Sequence, residues 1–328
     1  MLGQHLGLRQ LGGGDADGAE VELHAGDLDR LVRLEVGAQG VQARAQVDTC
    51  SGPLIQTPHD PQAGYGEHGG KKWQGYELHL TETAMLTQPR IITDVQTLPA
   101  GQANCKQVKP IQQALARRKL LPREQLVDLG YVTGETLEQS ALRGVQLLGP
   151  VQADTSPQAR LPGGLTADQF TFDYDQHLAY CPGGHTSQTW SFSQTEYGAE
   201  VFDIRFAGKV CQGCELKQRC MPTKHTFAQG RALKIKRTHD LVKQRRQAQQ
   251  TNAFKEKYRR RAGIEASLSE LVRAHGARRA RYRGQKKVHW QHLFLAAATN
   301  LKRATHWLAG FRPCSIRKPG LRTLSAAT

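Results

Sequence analysis

The stretch "KKWQGYELHLTET" alternates strictly. Trp73, Gly75, Glu77, His79 and Thr81 fall on one face; Gln74, Tyr76, Leu78 and Leu80 fall on the other. A period of two predicts a strand. A short apolar run, "SGPLIQTPHD", precedes it and ends at Asp60, and "RIITDVQTLPA" follows a turn. The three read as an antiparallel meander. The period then becomes helical in "QVKPIQQALARRKL", with Val108, Ile111 and Leu115 on one side and Pro110 confined to the first turn. "REQLVDLGYV" predicts a strand ending at Asp128, and "VQLLGPV" a buried one. Between them "TGETLEQSALRG" predicts a helix capped by Thr133 and closed by Gly144.

This order, strand-strand-strand-helix-strand-helix-strand, places the chain in the α/β class. Residues 152–230 break the pattern with glycine, proline, aromatics and cysteines, as an insertion would. From about residue 251 to 275 a long helix is expected. "KKVHWQHLFLAAATNLKRATHWL" predicts a second helix, apolar enough to be buried. Residues 1–50 are different again, rich in Gly, Ala, Leu and Val, with eight acids, four arginines and no lysine. Their glycine-rich flanks predict a poorly ordered or unrelated segment.

Charge sharpens this picture. The chain carries a formal net charge of +16 over 328 residues. Nineteen Lys and Arg against four acids lie between residues 231 and 287. So concentrated a surplus points to a polyanionic partner, nucleic acid or an anionic surface. No apolar run is long enough for a bilayer span, and the N-terminus lacks the pattern of a secretory signal. Seven cysteines, four of them clustered, suit metal ligation in a reducing compartment better than a disulfide framework. A cytoplasmic protein without a membrane partner is expected.

Three acids occupy suggestive places: Asp60 and Asp128 at predicted strand ends, and Glu265 inside the basic helix. Carboxylates brought together this way would form a hard-oxygen pocket for two Mg²⁺ ions about 4 Å apart, suited to in-line attack at phosphorus. Each acid also has a plainer reading. Asp60 precedes Pro61, a common turn start; Asp128 could be an ordinary strand-end acid; Glu265 could pair with Arg261 one turn back for a few tenths of a kcal/mol. The three in this element order favour the pocket.

The ordered motifs "DPQAG", "VDLGYV", "CPGG", "CQGCELKQRC", "YRRRAGIE", "RARYRGQKK" and "AAATNLKRATHWLAG" together resemble DDE transposases of bacterial insertion sequences, over about residues 55–310. The resemblance implies an RNase H-like core: a mixed five-stranded sheet with flanking helices and a Cys-rich insertion before the last catalytic helix. Its first part would span 51–151, its insertion 152–230 and its basic helical part 231–310, followed by a tail at 311–328. It implies Asp60, Asp128 and Glu265 as catalytic ligands of Mg²⁺ or Mn²⁺, and nicking and strand transfer at the element's ends. Tyr258, Arg261 and Glu265 match the family's late motif, and at helical spacing they share one face. Tyr258 and Arg261 would contact DNA phosphate, joined by Arg273, Arg278, Arg279, Arg281, Lys286 and Lys287. Two positions depart from the pattern: Gly64 replaces an arginine, and Val272 stands where a basic residue is expected, with Arg273 next. The family's N-terminal DNA-recognition domain has no counterpart in residues 1–50. DNA is the expected partner, with a homodimer in the DNA complex.

Cys181 lies upstream of Cys211, Cys214 and Cys220, which are spaced C-x₂-C-x₅-C. Four thiolates could close a structural zinc site; equally, four reduced cysteines could pack as small apolar residues. His185 and His225 are conceivable substitutes, and Cys50, Cys105 and Cys314 read as single residues. A catalytically inactive DNA-binding remnant is the alternative to an active transposase. A basic RNA-binding zinc protein is the third reading, and the lack of interleaved aromatics counts against it.

Overall fold

The computed structural model of the chain describes residues 3–12, 33–37, 40–44, 55–85, 88–195, 200–221 and 230–312. The chain is a mixed α/β protein of two compact units, one formed by Met1–Tyr131 and Arg259–Thr328, the other by Val132–Tyr258. The second unit is thus wider than the expected insertion at 152–230, taking in the predicted helix and strand that precede it.

The first unit holds β1 (Gly3–Gly12), β2 (Arg33–Gly37), β3 (Gly40–Arg44), β4 (Gly64–His68), β5 (Lys71–Thr83), β6 (Ile92–Pro99) and β7 (Glu124–Leu126). Helix α1 (Val108–Arg117) lies between β6 and β7 in the chain. The alternating stretch is β5, the longest of these strands, and it pairs antiparallel with β4, β6 and β1. β1 also pairs parallel with β7, while β2 and β3 form a separate antiparallel hairpin. The sheet therefore departs from the expected five-stranded one in three respects. One central strand comes from within the first 50 residues, β4 is a strand that was not expected, and the described residues of the stretch ending at Asp60 contribute only a bridge at Ile55.

Both faces of β5 are covered. Leu78 and Leu80 join Ile92 and Val95 of β6, and against them pack Ile264, Leu268 and Leu271 of α7 (Ala262–Arg273) and Ala296 of α8 (Gln285–Leu308). Each of these Leu, Ile and Val side chains removed from water contributes about 1.5–3 kcal/mol. The opposite face is polar and nonetheless buried: Glu77, His79 and Thr81 are each under 5 % exposed. Side chains on α8 fasten it to β6. The Asn300 amide accepts from the Ile92 N–H at 2.8 Å and donates to the Ile92 carbonyl at 2.9 Å. Arg303 reaches Glu82, Ser267 and Glu270. Glu82 is fully buried, so this guanidinium supplies the partner a buried charge requires.

The second unit comprises α2 (Gly134–Leu142), β8 (Gln146–Leu148), β9 (Thr171–Asp173), β10 (Leu178–Tyr180), β11 (Thr189–Gln194), β12 (Glu200–Arg205), α3 (Gly208–Gly213), α4 (Lys217–Cys220), β13 (Ala232–Ile235), α5 (His239–Ala248) and α6 (Asn252–Arg259). α2 begins as its sequence predicts. Thr133 accepts from the Thr136 N–H, and the Thr136 hydroxyl accepts from the Thr133 N–H, a capping box. Gly144 closes the helix with φ 72°. β11, β12 and β13 form an antiparallel sheet and β9 pairs with β10; between them Phe170, Ala179, Ile204, Phe206, Leu233 and Ile235 form a core.

The single long helix expected from residue 251 is two helices, α6 and α7, with a turn at Arg260 and Arg261. Nothing in the composition marks the break, and Arg261 keeps helical dihedrals of −59° and −31°. Tyr258 and Glu265 therefore lie on different helices rather than one face. α8 matches its prediction in extent, but its apolar residues are only partly buried: Val288 and Ala296 face inward, while Trp290, Phe294 and Leu301 are exposed.

Candidate active site

Asp60 lies in the turn before β4 rather than at a strand end. Its carbonyl accepts from the Ala63 N–H at 3.0 Å and its carboxylate from the Gln62 N–H at 3.2 Å, the Asx-turn chemistry that Asp-Pro sequences favour. The Tyr76 hydroxyl donates to the same carboxylate, 2.9 Å from one oxygen and 2.8 Å from the other. Burial, reinforced by the neighbouring Asp60 charge, raises the Tyr76 phenol above its ordinary range. The Gly284 N–H donates to Asp60 Oδ2 at 2.9 Å, and the Gln285 N–H to Gln62 Oε1 at 2.8 Å. The first N–H groups of a helix have no partner within it. This turn supplies partners at α8, where Gly284 takes the left-handed φ of 88°.

Asp128 follows β7 and opens a 3-10 turn, accepting the Tyr131 N–H at 3.0 Å through its carbonyl. Tyr131 is fully buried, and its hydroxyl is hydrogen-bonded to His79 Nδ1 at 2.7 Å. Burial lifts the Tyr131 phenol well above its ordinary range, and Asp128 and Glu77 add to the effect. Burial also lowers His79 to about 4, so at neutral pH this pair is uncharged and anchors the turn that carries Asp128.

Glu265 stands in the first turn of α7. One guanidinium nitrogen of Arg261, Nη2, lies 2.7 Å from Glu265 Oε1 and 3.1 Å from Asp128 Oδ1. Arg261 thus holds two carboxylates on one cation. Its side chain is 17 % exposed, those of Asp128 and Glu265 35 % and 64 %, so the pair opens toward solvent on the Glu265 side. Next to Arg261, Arg260 pairs with Glu124 of β7, tying the start of α7 to that strand.

The structure therefore brings Asp128 and Glu265 together on Arg261 and gives Asp60 another set of partners. Among the described residues, no three His, Cys, Asp or Glu side chains stand as a group able to hold a metal ion. Neither the three-carboxylate pocket favoured from the sequence nor the four-thiolate site, one of its two readings of the cysteines, is preformed among the described residues.

The basic positions divide in two. Arg261 is engaged by carboxylates. Tyr258 stacks on Phe254, ring centroids 5.8 Å apart. Arg273, Arg278, Arg279, Arg281, Lys286 and Lys287 are all exposed and enter no ion pair among the described residues. They cluster from the end of α7 to the start of α8, a connection pinned by Gln291, whose side chain bonds the backbone of Arg279 and Arg281. Val272 packs against the core, so the basic contact expected at that position can only be made by its exposed neighbour Arg273.

Tyr76, Gln62 and Gly284, which hold Asp60, were not singled out from the sequence; only the β5 alternation placed Tyr76, on the face it shares with Leu78 and Leu80. Arg90 was also missed. A Cβ on Gly263 would lie 2.5 Å from the Arg90 guanidinium carbon, so the glycine of "RAGIE" leaves room for that side chain beside the Glu265 turn.

The four cysteines lie in the second unit and none is in a disulfide. Cys181 follows β10, Cys211 lies in α3, Cys214 caps its C-terminus, and Cys220 ends α4. Burial pushes the Cys220 thiol up to about 11; Arg231 pulls it down, while Cys211, Cys181 and Cys214 push it up. Cys50, His225 and Cys314 lie outside the described residues.

The family model described as Transposase DDE domain matches residues 180–305. No curated protein and no solved structure matches the chain. The matched span contains the four clustered cysteines, Glu265, Arg261 and the exposed basic connection, while Asp60 and Asp128 lie ahead of it. The match supports a DDE transposase family for this chain.

Proposed function

We propose that the chain performs DDE-type transposase chemistry, nicking DNA and transferring strands at the ends of an insertion sequence in a divalent-metal-dependent reaction. The observation that carries this reading is the pairing of Asp128 and Glu265 on the single Arg261 cation. Two carboxylates already sharing a cation have the hard-oxygen donor chemistry that Mg²⁺ and Mn²⁺ select, so the pair fits one ion. Asp60 fits as the third ligand only on giving up its bonds to Tyr76 and Gly284. A divalent ion bound there would supply activation of a water or 3′-hydroxyl and charge neutralisation at phosphorus.

The chain's own residues account for the rest of the proposal. Asp128 and Glu265 would hold the ion. Arg261, released from between them, donates to a phosphate oxygen near the cut, as a planar fork of donors suits. The exposed cations from Arg273 to Lys287 bind the backbone without reading bases. Two copies acting on one DNA complex belong to the same reading. No helix of the described residues is long and apolar enough to cross a membrane.

The test is nicking of supercoiled plasmid with and without Mg²⁺. The wild-type chain should nick only with the metal, and Glu265→Gln and Asp128→Asn should each lower the rate at least about a hundredfold, the scale at which removing one catalytic group acts, while DNA affinity is kept. Equal nicking by Glu265→Gln would remove that residue from the mechanism. Binding without nicking by the wild-type chain would leave a DNA-binding remnant instead.

A further inference from the structure

The second unit draws four cysteines from three separate stretches of chain to the wall of one cavity. Cys181, Cys211, Cys214 and Cys220 all line it, and its volume is about 20 Å³, room for a single water-sized sphere. Cys214 and Cys181 flank Gly183: a Cβ there would lie 3.3 Å from one sulfur and 3.6 Å from the other. The backbone between the two thiols is thus kept free of a side chain.

Packing as small apolar residues would explain why Cys181, Cys211 and Cys220 rest against the Phe170–Phe206 core. It does not explain why backbone donors point at sulfur. The His185 N–H donates to Cys181 Sγ and the Arg231 N–H to Cys211 Sγ, each at 3.4 Å. Such donors favour a sulfur bearing negative charge, and they are the second layer that orients metal-bound thiolates. Arg231 places a cation at the same wall. Its Nε is buried without a partner, while its terminal nitrogens are fixed by the carbonyls of Cys220 and Leu165.

We propose that these four thiolates close on one structural Zn²⁺. A soft, tetrahedral four-sulfur set selects zinc among the common divalent ions. On binding, each thiol gives its proton to solvent and forms one Zn–S bond, with no change of oxidation state. The filled site carries two net negative charges, one of which Arg231 offsets. The thiols do not stand in ligand geometry without the ion; closure comes from rotation of side chains that already share one cavity. The bound ion would tie β10, α3 and α4 together.

The test uses the full chain purified under reducing conditions without chelator, and it is independent of nicking activity. Elemental analysis should find about one zinc per chain, and Cys214→Ser should lose it while Cys105→Ser keeps it. Should Cys214→Ser fail to fold, cobalt loading of the wild-type chain decides: a tetrahedral thiolate spectrum, bleached by stoichiometric zinc, is expected. Four freely titratable thiols with no metal, a disulfide among them, or iron in place of zinc would overturn the proposal.

Discussion

Arg261 and Glu265 stand one helical turn apart, guanidinium to carboxylate at 2.7 Å. An exposed pair at this spacing adds only a few tenths of a kcal/mol to a helix. What distinguishes it is the second carboxylate, Asp128, on the same nitrogen. Arg261→Ala removes a side chain only 17 % exposed that is shared by two carboxylates, so it should lower the unfolding midpoint. Under the DNA-binding proposal it should lower the slope of log affinity against log salt by about 0.9, the yield of one phosphate contact. An unchanged slope would show that the cation serves the carboxylates alone.

The connection between α7 and α8 should carry most of the sequence-independent affinity. Arg278, Arg279 and Arg281 are exposed, so replacing all three by alanine should leave the fold intact. It should reduce the salt slope by about 2.7, one increment per lost contact. Fluorescence anisotropy at several salt concentrations, on two unrelated duplexes, measures both the slope and its independence of sequence.

Removal of the Tyr76 hydroxyl isolates the turn at Asp60. Tyr76→Phe keeps the buried ring and deletes a hydrogen bond to a carboxylate, a loss of about 1.5–3 kcal/mol, readable as a lower denaturant midpoint. Because Asp60 also accepts from Gly284, amide exchange at Gly284 and Gln285 should quicken more than elsewhere in α8. Uniform change along α8 would mean that Asp60 does not act as its cap.

Two buried histidines set an acid limit. Burial lowers His79 and His292 to about 4, whereas in the unfolded chain a histidine titrates near 6.5. Between those values the unfolded state binds more protons, so stability falls as pH falls from about 6.5 toward 4 and is flat above that window. Each residue contributes up to about 1.4 kcal/mol per pH unit. His292→Gln, which retains a hydrogen-bonding group for Thr97, should reduce the slope by roughly that amount in urea titrations at stepped pH.

The alternation in β5, the helical spacing of α1 and the Thr133 cap were legible because each is a local pattern with a local cause. Asp60 was legible as chemistry and not as geometry. Its turn reading and its ligand reading depend on partners 16 and 224 residues away, which no window of sequence contains. The break before α7 was hidden because Arg260 and Arg261 are good helix formers, and their pairing with Glu124 and Asp128 is tertiary. β1 was missed for the opposite reason: glycine-rich composition argues against a strand, and only β5 and β7 on either side supply its pairing.

The first unit is interrupted by the second, and that fixes an order of events during synthesis. Residues 132–258 are continuous, so every residue of that unit has been made once Tyr258 is added. The core of the first unit cannot, because Leu78, Leu80, Ile92 and Val95 wait for Ile264, Leu268 and Ala296. At translation rates of about 5–20 residues per second, these apolar strand faces stay uncovered for roughly ten seconds or more after they emerge. A chain cut short before α7 would leave those faces without the helix that covers them and would also lack Glu265.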